Sequence, residues 1–193
     1  MRNRFVLGAI AGLCALHAGL AQAEGRLILK GGLALFTSDL GNVTSAGPAW
    51  GVILNYQPVE ILGIEFGYEG SRNSLSDPRA PQSTGLFRNS GIALAKVYLP
   101  LLSALHPFAG AGLGLGYVIV QGQSSAAYDN GFIAELPVAA GIEFEASGVR
   151  IGARATYHYF LTQEFSKDLR PVNGAPPLSG GLFDISATIT FRF

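Results

Sequence analysis

Lys30, Glu65, Glu69, Lys96, Glu135, Glu143, Arg150, Arg154, His158, Asp184 and Arg192 stand one by one on the faces opposite apolar stripes. Side chains of both signs, carried on facing strands, can do one of two things. They can pair with each other and fill an interior, or they can line an ion path or proton relay. Nucleophilic catalysis would need more: a hydroxyl within reach of a histidine that an acid orients. His158 is followed two places on by Phe160, and His106 by Phe108, so neither shares a strand face with an adjacent serine. Cys14 is the only cysteine and three histidines are present, which leaves no basis for a His/Cys zinc site. No catalytic residue, metal or cofactor is expected.

These charges are positioned by segments that alternate with period two. From Phe132 to Ala146, Phe132, Ala134, Leu136, Val138, Ala140, Ile142 and Phe144 share one face, and Glu135, Glu143 and Glu145 lie on the other. Val149–Leu161 sets Ile151, Ala153, Tyr157 and Tyr159 against Arg150, Arg154 and His158. The last segment sets Phe183, Ile185, Ile189, Phe191 and Phe193 against Asp184, Thr188 and Arg192. Pro107–Val120 opposes Leu113, Leu115 and Tyr117 to Gly110, Gly112, Gly114 and Gly116, glycines that leave room either for large neighbours or for a slim cavity. Arg26–Phe36, Trp50–Gln57, Glu60–Ser71 and Ser90–Leu99 complete a set of about eight strands. In the last of these, Ile92 and Leu94 share the face of Lys96; a charge costs less inside than against lipid, which turns that face inward.

The 193 residues are 49% hydrophobic and 13% charged, with 26 glycines and thirteen basic residues balancing thirteen acidic. That balance gives no footprint for nucleic acid, and the apolar content excludes a disordered chain. Arg2 and Arg4, an apolar run from Phe5 to about Leu20, and Ala21-Gln22-Ala23 make the three parts of a secretory signal peptide, residues 1–23. Its removal takes Cys14 with it and leaves residues 24–193 without thiols or disulfides.

The connections alternate too. Thr37–Ala49, Arg72–Asn89 and Thr162–Gly180 are long, with Gly122–Gly131 intermediate; Pro58-Val59, Pro100–His106 and Ser147-Gly148 are short. Runs of 9–11 residues suffice for a tilted strand to cross a bilayer. The expected fold is therefore all-β: a membrane-spanning antiparallel up-and-down barrel of about eight strands. A soluble lipocalin-type barrel would turn its apolar face inward and its charges outward, and the charges here are too few to cover an exterior. Trp50, Tyr68, Tyr117, Tyr157 and Phe183 fall near one set of strand ends, and Tyr56, Phe108, Phe191 and Phe193 near the other, as interfacial girdles do. A turn at Ala146-Ser147 would set Glu143 opposite Arg150 and Glu135 opposite His158, with Glu65 and Lys96 at similar heights. The loop around Asp77, Arg79 and Arg88, and the loop carrying Glu164, Lys167, Asp168 and Arg170, offer exposed surface to outside partners.

His106-Pro107-Phe108-Ala109-Gly110-Ala111-Gly112-Leu113-Gly114-Leu115-Gly116-Tyr117 resembles the Pro-aromatic-x-Gly-x-Gly-x-Gly strand of the small outer-membrane β-barrel superfamily, which includes OmpA-type transmembrane domains, opacity-type proteins and OmpW relatives. Ile189, Phe191 and Phe193 resemble the terminal signal read by the barrel-assembly machinery. The resemblance spans residues 24–193 and implies a monomer surrounded by outer-membrane lipid and lipopolysaccharide in a Gram-negative-type envelope. No peptidoglycan-binding domain is expected after the last strand. The implied role is structural or loop-mediated, with a narrow porin-like or OmpW-like channel as the alternative.

Overall fold

The computed structural model describes residues 24–76, 84–99, 104–122, 129–162 and 180–193. The expected signal peptide, residues 1–23, lies outside them, as do the loop charges Asp77, Arg79, Glu164, Lys167, Asp168 and Arg170. Eight strands run β1 Glu24–Phe36, β2 Gly47–Val59, β3 Leu62–Ser74, β4 Gly85–Tyr98, β5 Leu105–Gln121, β6 Gly131–Ala146, β7 Val149–Phe160 and β8 Gly181–Arg192. Every neighbouring pair is antiparallel, and β1 pairs with β8 from Arg26–Arg192 to Phe36–Leu182, so the sheet closes on itself. A short helix, α1 (Ser38–Val43), stands between β1 and β2.

Closure is what the outward face requires. Leu33, Leu54, Phe66, Leu115, Phe132 and Ile185, six side chains spread around the wall, are each more than half exposed. Soluble monomers rarely carry a continuous apolar patch beyond about a few hundred Å². In hydrocarbon, by contrast, such a wall is matched to its solvent, and only a ring of strands leaves no backbone edge unpaired. The apolar exterior thus defines a membrane-spanning barrel.

Several boundaries differ from the sequence reading. Most strands are longer; β4 begins at Gly85, which takes Arg88 out of the expected loop and into the wall. The β2–β3 turn falls at Glu60-Ile61 rather than Pro58-Val59, with a register irregularity between Tyr56 and Val59. The β6–β7 connection is Ser147-Gly148, as the loop pattern has it, rather than the Ala146-Ser147 turn used to pair the charges, and both residues have positive φ (52° and 81°), as a type I′ hairpin demands. The register therefore slips by two. Glu145 faces Arg150, Glu143 faces Gly152 and Pro137 faces His158. A slip of two leaves every side chain on its expected face, because the side-chain period is two.

The β5–β6 ladder runs from Leu105–Phe144 to Val118–Gly131 but skips Gly112–Pro137 and Leu113–Leu136. Those are the two pairs that need a donor on residue 137, and proline has none. Across the other edge of β5, the strand backbones come close: a Cβ on Gly112 would lie 2.0 Å from the Ala93 carbonyl oxygen. In Gly114 and Gly116 the missing side chain is replaced by Glu135 and Ile133 of β6, which settles the glycine face as packing at these positions.

The candidate site: a charged and capped lumen

Eight strands enclose an interior just wide enough for side chains, and here three layers occupy it. At the long-loop end, Phe36, Leu86, Val118, Ile133, Phe160 and Leu182 converge on Leu40 of α1 in one buried apolar cluster. At mid-height, Ile28, Ile53 and Ile92 meet. Lower down, Leu94, Tyr98, Phe108 and Ala139 form a third cluster. Phe108 was expected in the interfacial girdle; it points inward instead, its ring 6.2 Å from that of Tyr98. Its position has the parity of Gly110 and Gly112, which face the lumen.

The ion pairs lie between and below these layers, in two groups. The upper group centres on Lys30, whose Nζ donates to Glu69 (2.7 Å) and to Asp184 (3.2 Å). Ser186 donates to the same Asp184 oxygen at 2.6 Å. Arg88 grips Glu135 with two bonds, Nη2 at 2.5 Å and Nε at 3.2 Å, the fork geometry that suits a carboxylate. Ser90 donates to Glu135 as well. His158 sits fully buried between the carboxylates, Nε2 3.3 Å from Glu69 and Nδ1 3.5 Å from Glu135, with Arg88 Nη2 3.1 Å from Nδ1.

The lower group centres on Lys96. Its Nζ reaches Glu143 at 2.6 Å and Glu65 at 3.0 Å, and lies 3.8 Å from the centre of the Phe108 ring. Arg154 donates to the other Glu65 oxygen at 2.6 Å and to Thr156 at 3.1 Å. Arg150 bonds Glu145 at 2.5 Å and reaches Glu143 at 3.5 Å. Asn55 donates to the Tyr98 hydroxyl at 2.7 Å. Lys30, Glu65, Glu69, Lys96, Glu135, Glu143, Arg150, Arg154, His158 and Asp184 are all buried.

Arg192 is not among them. Its side chain is 66% exposed and pairs with Glu24 at the short-turn mouth. Its position has inward parity, but it lies at the end of β8, where the lumen opens. The sequence reading also left out Arg88, Arg26 and Tyr98, all of them buried. Arg88 was assigned to the loop with Asp77 and Arg79, although Leu86, Arg88, Ser90, Ile92, Leu94 and Lys96 form one unbroken inward row. Arg26 and Tyr98 share the parity of the chosen inward residues and could have been found from it.

Below the lower group a polar vestibule of about 390 Å³ opens at the short-turn end, bordered by Glu24, Arg26, Gln57, His106, Glu145 and Arg150. Ser90, Glu135 and His158 do not make a hydrolytic set. The acid stands between the hydroxyl and the imidazole, whereas the imidazole must take the hydroxyl proton. Among the described residues, no cluster of three His, Cys, Asp or Glu side chains is arranged to hold a metal.

Fold and interior together define a membrane-spanning eight-stranded barrel with a packed, ion-paired lumen. The chain has the fold of small outer-membrane barrels. It is similar to the crystal structure of Neisserial surface protein A, with 20% identity, TM-score 0.67, and 89% of this chain and 99% of that one covered. It is also similar to Ail, the attachment invasion locus protein of Yersinia pestis, in its complex with a heparin analogue, with 12% identity, TM-score 0.56 and the same coverage. No protein-family profile matches the chain, and no curated protein matches it.

Proposed function

We propose that the protein is an integral outer-membrane barrel of a Gram-negative-type envelope, non-enzymatic and non-conducting, that acts as a structural element or presents its long loops to outside partners. The observation that carries this reading is the filled lumen. A conducting path would have to pass the apolar cluster around Leu40 and Phe160, then two sets of paired charges in which the side chains named above are already engaged. Buried charges broken from their partners are costly, so the pairs act as a fixed filling rather than a set of free carriers. β8 carries Ile189 and Phe191 on the lipid face, with Phe193 just beyond it, 46%, 42% and 78% exposed, where the assembly machinery would read them during insertion of a monomer into lipid and lipopolysaccharide.

The test is single-channel recording on residues 24–193 refolded into a planar bilayer, with folding checked by heat-dependent gel mobility. A folded protein with a silent bilayer is expected. Steady discrete openings would overturn the closed-lumen reading in favour of a narrow channel for small solutes.

A further inference from the structure

The outer wall is not evenly ridged. On β4 the lipid-facing positions Gly91 and Ala93 are small, and on β6 so is Ala134. Beside them Leu113 and Leu115 of β5 stand 65% and 74% exposed, and Leu161 closes the long-loop end. The result is a groove of about 550 Å³ that runs from mid-wall towards the long-loop end. Gly91 makes it deep, since a Cβ there would meet nothing nearer than the Leu115 carbonyl oxygen at 4.0 Å.

We propose that this groove is a binding site for one acyl chain of a membrane lipid, in the leaflet at the long-loop end. The inference rests on the reading of the barrel as membrane-embedded, because it is the surrounding phase that fixes the occupant. The groove is continuous with the apolar belt, so hydrocarbon is the matter that reaches it. Its lining is aliphatic side chains and backbone apart from Glu135, whose carboxylate is turned inward to Arg88 and Ser90 and is not free to hold a headgroup. Left empty, Leu113, Leu115 and Leu161 would lack contacts on one side and forfeit dispersion energy. A flexible chain laid between them restores those contacts. The headgroup remains at the interface, near the end of β7. Leu54 and Phe66, on β2 and β3, stand 52% and 56% exposed and raise the wall there instead.

The site is tested in detergent micelles, where lipid is scarce. Trp50 is the only tryptophan, two strands from Gly91. In a Trp50→Phe background, Leu161→Trp places the reporter at the end of the groove. Each refolded protein is titrated with phosphatidylethanolamine brominated on its acyl chains, bromine being a contact quencher. Saturable quenching at the new tryptophan is expected, complete near one lipid per barrel, with no saturable phase at Trp50 in the native chain. Adding Gly91→Leu, which fills open space and leaves the wall intact, should abolish the saturable phase; Ala93→Leu provides an independent filling. Equal quenching at the two tryptophans, or saturable quenching that both fillings leave unchanged, would overturn the proposal. Heat-dependent gel mobility of the same samples reports the barrel itself, so failure of the groove and failure of the membrane-barrel reading are distinguishable.

Discussion

Lys96→Met removes the one cation that Glu65 and Glu143 share while keeping most of the side-chain volume. Lys96 is 0% exposed, its Nζ lies 3.0 Å from Glu65 and 2.6 Å from Glu143, and the Phe108 face covers it. Removing one member of a buried ion pair costs about 3–5 kcal/mol because the partner is stranded. The two carboxylates are not stranded equally. Glu65 keeps Arg154 at 2.6 Å, whereas Glu143 keeps only Arg150 at 3.5 Å, and Arg150 is better satisfied by Glu145 at 2.5 Å. Neutralising Glu143 should therefore rescue the variant: Lys96→Met with Glu143→Gln recovers about half the loss or more. Lys96→Met with Glu65→Gln recovers less, since it takes from Arg154 its carboxylate partner. The assay is urea unfolding in phosphatidylcholine vesicles, followed by Trp50 fluorescence and gel mobility. The reasoning is refuted if Lys96→Met unfolds within about 0.5 kcal/mol of the native protein, the range of an ordinary surface change, or if Glu65→Gln rescues as well as Glu143→Gln.

Arg88→Ala should destabilise by about 3–5 kcal/mol in the same assay, against less than about 0.5 kcal/mol for the exposed Arg72→Ala; equal effects would put Arg88 back in a loop. Gly112→Ala drives a methyl into the Ala93 carbonyl and should cost at least about 1–3 kcal/mol, read as a lower urea midpoint or loss of the folded gel band. Pro137→Ala supplies the donor that the β5–β6 ladder lacks and should raise stability by about 0.5–1.5 kcal/mol, the net value of one hydrogen bond. A lower urea midpoint for that variant would mean the proline ring contributes more by packing than its missing N–H costs.

The strand count was legible from the number of alternating segments, most faces from the parity of residues along each strand, and the closed ring from the cost of an unpaired strand edge in lipid. Lys96 illustrates how far this goes: the inward placement of Ile92 and Leu94 follows from one charge that lipid would reject. Register was less legible. Turns at Ala146-Ser147 and Ser147-Gly148 give the same faces, and only the positive φ that glycine accepts readily, with Ser147 beside it, selects the second. Hence Glu143 was matched to Arg150, when Lys96 on a strand two places round the ring is its nearer partner. Contacts across the lumen depend on shear and side-chain length, which period-two reasoning does not contain. Arg88 was missed for a different reason: the strand was begun at Ser90, which left Leu86 and Arg88, two members of its inward row, in the loop before it.

Most of the lumen pairs join positions remote in the chain. Lys30 and Asp184 are 154 residues apart, Arg154 and Glu65 are 89. Sequence drift inside the barrel is therefore a collective matter. A carboxylate lost from β3 strands a cation on β1, β4 or β7, and survives only if that strand changes too. Outside, Leu can become Ile or Val at one position without consulting any other. Homologues of this protein should accordingly diverge at two tempos, singly and freely on the wall, in linked steps within it. Swapping one strand between two such homologues should then fail through its inward residues, while its outward residues pass unnoticed.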